Sequence, residues 1–329
     1  MGKTKQQKVK DFLINNGVII VMFILVIYTG LTSNNFFTGN NLMNILMNMS
    51  SRLVIALGIA GCVITAGCDL SAGRMIGFGA CISGMLLQRL DDSGKFFPDM
   101  KPLNVVLVAI IAMLICAAFG TVTGIFIAYL NVPPFIATLA MMEIVYGIGL
   151  IVTNATPLGG YVEAYTNVAN KKFLGINYLI WIAIIVAAIT WFIFNMTRHG
   201  KYMYAIGGNP QAAEVAGVPV KATMILIYMK AAAMYGLAGF MLGAKAGGAS
   251  VQTGYGYEME AIAACTIGGV SVTGGRGKVS SAIIGVAVFE LLKAALQYLG
   301  VDANAQYIAI GIVIFVAISL DIRKYVAKK

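Results

Sequence analysis

The chain has 329 residues, 59% of them hydrophobic and only 11% charged, with a mean hydropathy of +0.85. That leaves too little polar surface for a water-soluble globule and reads as a polytopic membrane protein. The net charge of +10 would suggest nucleic acid in a soluble protein, but here the basic residues gather at the tails, Lys3, Lys5, Lys8 and Lys10 before the first apolar run and Arg323, Lys324, Lys328 and Lys329 after the last. Basic segments beside spans stay cytoplasmic, so both tails are expected inside, the number of crossings is even, and no nucleic-acid partner is implied.

In chain order, the apolar run at 12–31 is long enough to cross a hydrocarbon core of about 30 Å. No small-residue cleavage site follows, so it reads as a retained first span behind a basic cytoplasmic tail at 1–11. Nine further spans are expected at about 53–68, 74–90, 104–130, 134–153, 178–196, 223–243, 259–273, 279–299 and 304–321. This gives an all-α membrane domain over 12–325, with halves at about 12–196 and 223–321. The loop at 197–222 then falls in the cytoplasm, where Arg198, Lys201 and Lys221 satisfy the positive-inside rule.

Segments 53–68 and 259–273 are short and glycine-rich, and each ends in a polar break, at 67–74 and 268–278. Interrupted spans in both halves suggest two five-helix repeats of opposite orientation, since non-helical backbone is tolerated only against protein or a water-filled cavity. An eight-span version with both segments re-entrant also satisfies the tails. Asp69, Ser71 and Arg74 in the first break are candidate pathway or gate residues; the plainer reading is that Asp69 and Arg74 cap a cytoplasmic helix turn and pair with each other. Glycine sets such as Gly236, Gly239 and Gly243 supply close-packing faces.

Charges within spans are expensive facing lipid. Glu290 and Lys293 lie three apart on one helix and are expected to pair. Lys230 can snorkel to the inner surface, and Glu143 is expected to face a neighbouring helix. Five cysteines without metal or redox spacing read as small apolar filler.

The loop at 207–220 is a polar island that reads as a short surface helix. Asn209 suits the N-cap, Pro210 the first position, Glu214 the early turns, and Gly217 the end. So short a helix needs a partner surface. Gln211, Ala212, Ala213 and Gly217 match the spacing of the Glu-Ala-Ala-x-x-x-Gly loop by which permease subunits of ABC importers dock onto their ATPases, with Gln211 in place of Glu. The glycine loop before Lys278 fails as a phosphate loop, because Val272 takes the first glycine position and Val279 follows the lysine. His199, beside Arg198, reads as a solvated cap or a contact to membrane lipid headgroups rather than a base or metal ligand. Nothing supports an enzyme.

Four ordered blocks, 55–58 through 69–74, 128–136, 205–210 and 260–269, carry a resemblance. The chain is similar over nearly its whole length to the permease subunits of bacterial ABC importers for monosaccharides, the ribose, xylose and galactose group. The resemblance implies a fold like that of vitamin B12 (type II) importers in the bacterial inner membrane, and a second permease copy around one pathway. It further implies a sugar-specific ATPase subunit holding ATP and Mg, with no cofactor on this chain, and an extracytoplasmic sugar-binding protein. Galactose or a methyl galactoside is the first expectation for the cargo. Glu260, where the family usually has Asp, joins Glu290 and Lys293 as a candidate pathway residue; Lys293-Ala294-Ala295 replaces a more usual Asn-x-Gly. No sugar-sized set of hydrogen-bonding side chains is apparent, which suggests a cavity that passes cargo without holding it. The competing classes are a secondary carrier driven by an ion gradient and a non-transporting scaffold.

Overall fold

The computed structural model describes the backbone of residues 5–326 and the side chains of residue 17 and residues 20–319. The side chains of the basic tails, Lys3, Lys5, Lys8, Lys10, Arg323, Lys324, Lys328 and Lys329, lie outside the described residues. The described chain is helical almost throughout: α1 (Lys5–Thr32), α2 (Gly39–Ile64), α3 (Ala72–Leu86), α4 (Val105–Tyr129), α5 (Pro134–Thr153), α6 (Glu163–Asn170), a hairpin of β1 (Lys172–Phe173) and β2 (Ile176–Asn177), α7 (Tyr178–Met196), α8 (Arg198–Gly208), α9 (Pro210–Val215), α10 (Val220–Ala246), α11 (Tyr257–Gly268), α12 (Val279–Tyr298) and α13 (Ala303–Val326). Among the described residues, six helices are long and apolar enough to cross a membrane, namely α2, α4, α5, α7, α10 and α12.

Helix starts follow local chemistry. Side-chain oxygens of Thr38, Asn104, Asn177, Thr197 and Asn209 accept first-turn amides of α2, α4, α7, α8 and α9, satisfying donors that have no partner within the helix. Sequence and structure agree on 134–153 and 178–196, agree within a residue on 104–130 and 279–299, and differ more elsewhere. Residues 53–64 of the segment expected at 53–68 are the second half of the 26-residue α2, a continuous helix long and apolar enough to cross. Its polar first half, with Asn41, Asn44, Asn48 and Arg52, hid the helix from a hydropathy reading. The short elements are instead α3, 15 residues and about 22 Å, and α11, 12 residues and about 18 Å. Neither bridges an apolar layer alone. Helices α6 and α8 and the hairpin are additions to the expected plan.

Helix α10 is the core. It packs against α2, α3 and α4, while α2 packs in turn against α11 and α12. A Cβ at Gly239 would collide with the Ile76 carbonyl, and one at Gly236 with the carbonyl of Ala112. Backbone contact at this range replaces the missing hydrophobic drive between helices in lipid. The complementary glycines on α4, Gly120 and Gly124, press on Tyr228 and Ile225. Outward faces of α4 and α7 carry Val106, Leu114, Ile185 and Phe192 exposed, a surface suited to lipid.

One end of the bundle gathers α6, the C-termini of α3 and α10, and the paired residues Leu158 and Ala249. At the other end Gly275 N donates to Ile64 O at 2.8 Å and Tyr204 OH to Gly277 O at 2.8 Å, fixing α8 and the 269–278 loop beneath α2. His199 is half-buried there in a small cavity with Lys230 and Phe194, so it is not the solvated cap expected.

Two outcomes are expected. Gly239→Val should cost about 1–3 kcal/mol by overpacking, read as a lower thermal midpoint in detergent. Burial and then the Lys230 charge hold His199 down at about 4, against about 6.5 in a free chain. The unfolded chain therefore binds more protons between those values, and the stability this histidine contributes is full above about pH 6.5 and lost as pH falls towards 4. Thermal midpoints of His199→Asn across that window should fall less steeply than those of the parent.

Candidate functional site

Two non-helical limbs, 65–71 and 247–256, lead into the N-termini of α3 and α11, and those N-termini meet inside the bundle. Asp69 stands just ahead of the first, whose N-cap residue is Ser71. Its Oδ1 accepts Ser71 N at 3.0 Å and Ser71 Oγ at 2.6 Å, and its Oδ2 accepts Tyr235 OH at 3.1 Å. Tyr235 lies near the middle of α10, so this break sits deep in the bundle and not at a cytoplasmic turn. The expected Asp69–Arg74 pair does not form. Arg74 Nη1 instead donates to Gln252 Oε1 at 2.7 Å and Val251 O at 3.4 Å, and its guanidinium stacks on the Tyr146 and Tyr255 rings at 4.0 and 4.4 Å. The second limb takes the arginine because it runs beside α3, while Asp69 is already saturated. From α11, Glu258 packs against Gly73, where a Cβ would collide with its carboxylate. Glu258 Oε2 and Arg74 Nε are buried without hydrogen-bond partners.

A second cluster lies beside it. Arg52 of α2 reaches Glu260 of α11 through Nη1 and lies 2.7 Å from Glu290 Oε1 of α12 through Nε, an ion contact whose angle does not make a hydrogen bond. Lys293 Nζ donates to Glu260 Oε1 at 2.8 Å. The Tyr257 ring stands 4.4 Å from the Arg52 guanidinium and 6.0 Å from Lys293 Nζ. Glu290 and Lys293 therefore do not pair with each other; each reaches a neighbouring helix. Two cations and two carboxylates sum to zero, as a low-dielectric surround requires. Arg52 is the residue that sequence reasoning missed, because it falls one position before the boundary assumed at 53.

This cluster walls a cavity of about 530 Å³ between α11 and α13, lined by Arg52, Glu258, Glu260 and Lys293 on one side and Gln306 and Tyr307 on the other. A set of hydrogen-bonding side chains around one cavity is thus present, contrary to the sequence expectation. Glu143 lies halfway along α5 and is exposed, on an open face rather than against a neighbouring helix of this chain.

Helix α9 stands apart at the α8 end. Asn209 Oδ1 accepts Ala212 N at 3.0 Å, and Gly217, at φ +82°, lets Gly217 N and Val218 N close the helix on Glu214 O and Ala213 O. Ala213 is buried against the chain, whereas Pro210, Gln211, Ala212, Glu214 and Gly217 are exposed. Val215 is 91% exposed, an apolar tip that the sequence reading passed over.

The chain matches the family described as branched-chain amino acid transport system / permease component over residues 41–318. It is 38% identical over 337 residues to the galactose/methyl galactoside import permease protein of Escherichia coli (strain K12), covering 100% of both chains. Its identity to the protein of the same name from Haemophilus influenzae is 40% over 338 residues, again 100% of both. The ribose import permease protein of Escherichia coli (strain K12) is 32% identical over 319 residues, 96% of each chain. No solved structure matches.

Removing Arg52 leaves the Glu290 carboxylate buried without its ion partner. Arg52→Ala is expected to cost about 3–5 kcal/mol, whereas the double change Arg52→Met with Glu290→Leu, with Lys293 still on Glu260, should cost markedly less. Thermal unfolding of the two purified variants in detergent compares them.

Proposed function

This chain belongs to the branched-chain amino acid transport system / permease component family, and on that premise we propose that it is the membrane-spanning permease subunit of an ATP-driven monosaccharide importer. Galactose or a methyl galactoside is the proposed cargo, after the names of its full-length relatives. ATP and Mg belong to a separate ATPase subunit, and an extracytoplasmic sugar-binding protein delivers the cargo.

The observation that carries this reading is α9: a capped helix with an exposed apolar tip, closed by the Val218 N to Ala213 O bond at 3.0 Å and followed after the short connection 216–219 by α10. It has no core of its own and offers Gln211, Ala212, Glu214 and Val215 to a partner, with Asn209, Pro210 and Gly217 shaping its ends and Ala213 anchoring it. A chain that carries a docking helix but no phosphate loop takes its energy from another polypeptide.

Ten crossings follow if each limb and its short helix count as one: 65–71 with α3, and 247–256 with α11. Residues 67–70, the part of the first limb free of turn and helix, add at most about 13 Å to α3. Reciprocal packing supports inverted five-helix halves of the vitamin B12 importer type once α7 is counted as the first helix of the second half: the second helix of each, α2 or α10, then packs on the third and fourth of the other, α11 and α12 or α3 and α4. Both termini and α9 then face the cytoplasm of the bacterial inner membrane. A second copy covers α5: Glu143 cannot face hydrocarbon, and Gly147 beside it has open space suited to close approach. Asp69, Ser71, Arg74, Glu260, Glu290 and Lys293 line or brace the pathway between inward and outward openings.

The test is reconstitution in sealed vesicles with ATPase and binding protein. ATP-dependent uptake of labelled galactose is expected, and Val215→Asp should reduce it by about 10-fold or more while the permease remains in the membrane. Concentration of sugar by the chain alone under a proton or sodium gradient would establish a secondary carrier instead.

A further inference from the structure

The cavity between α11 and α13 has a composition that a mere passage does not need. Its wall carries Arg52, Glu260 and Lys293 near the middle of the bundle. Charged groups at that depth cannot open onto hydrocarbon, so the cavity is a water-filled space. At about 530 Å³ it falls within the roughly 300–1,000 Å³ range of small-molecule sites.

Its free hydrogen-bonding capacity is mixed and local. Lys293 spends one N–H on Glu260 and keeps two. Gln306 Nε2 donates to Val301 O at 2.9 Å, which leaves its carbonyl and one N–H. Glu258 borders the cavity but is 5% exposed, with its Oε2 turned onto Gly73 of α3, so that oxygen is not offered to a solute. Tyr307, 72% exposed, adds an aromatic face on the opposite wall. The charges that line the cavity, Arg52 and Lys293 against Glu258 and Glu260, cancel, so the wall exerts no net pull on an anion. Adjacent donors and acceptors beside an aromatic face, without net charge, match a neutral ring that carries hydroxyls around its edge and C–H groups on its face.

We propose that this cavity is a sugar-contact subsite within the permease itself, in which Tyr307 stacks on the ring, Lys293 donates to a hydroxyl, and Gln306 donates to one hydroxyl and accepts from another. The subsite rests on the monosaccharide reading above and adds to it a second point of selection, after delivery. Binding is loose by construction, because Arg52, Glu260 and Lys293 are held in protein ion pairs and only a few groups remain for the cargo.

The test uses the complete importer in vesicles, with permease abundance measured in the same vesicles. Uptake of galactose is compared with that of the 2-, 4- and 6-deoxygalactoses for the parent, Gln306→Ala and Tyr307→Ala. The binding protein is common to every reaction, so a change in the uptake ratio belongs to the permease. The expected result is a ratio for at least one deoxy sugar that falls about 5- to 10-fold in Gln306→Ala, the effect of one lost hydrogen bond, and a higher KM for every sugar in Tyr307→Ala. Ratios and KM unchanged in both variants overturn the subsite and leave the importer intact. Absence of ATP-driven uptake of any sugar by the parent overturns the monosaccharide reading, and the subsite with it.

Discussion

A helix that begins inside an apolar layer exposes amide donors that water cannot reach, and this protein has two such helices facing each other. Asp69 stands just ahead of α3, where it accepts the amide of the N-cap residue Ser71 and is held by Ser71 Oγ and Tyr235 OH; the start of α11 carries Glu258 and Glu260 in its first turn, and at both starts negative charge suits the helix dipole. Each carboxylate needs its own compensation in turn, and the surrounding architecture supplies it. Tyr235 reaches Asp69 only because Gly236 and Gly239 bring α10 into backbone contact with α4 and α3.

The same logic explains the charge cluster. Glu260 projects from α11 into a region already crossed by α2 and α12, and Arg52 and Lys293 converge on it from those two helices. Such a cluster adds little net stability over an apolar core of equal volume, but breaking one member is costly. It therefore fixes how α2, α11 and α12 sit relative to one another, which is also what shapes the cavity wall.

Helix α10 joins the parts. Its N-terminal end follows α9 directly, its middle holds Asp69 through Tyr235, and its C-terminal end turns into the 247–256 limb that receives Arg74. A displacement of α9 has a continuous rigid element to act on, and both helix breaks lie along it. The limbs are the compliant members, because their backbone lacks the internal hydrogen bonds of a helix.

Composition alone decided that the chain lives in a membrane, and hydropathy located α5 and α7 to the residue, because burial in lipid acts on each segment separately. The short helix at 210–215 was legible for a similar reason: Asn209, Pro210 and Gly217 act on their own neighbours in the chain. Residue types also marked Asp69, Arg74, Glu290 and Lys293 as unusual, and the family resemblance added Glu260. Which of them touch was decided by tertiary structure alone. Arg74 found Gln252 across 178 positions and Arg52 found Glu260 across 208, while the near neighbours Asp69 with Arg74 and Glu290 with Lys293 went separate ways. A buried charge takes the partner whose geometry also satisfies its remaining hydrogen bonds, and that partner is set by how helices pack, a property no local stretch of sequence contains.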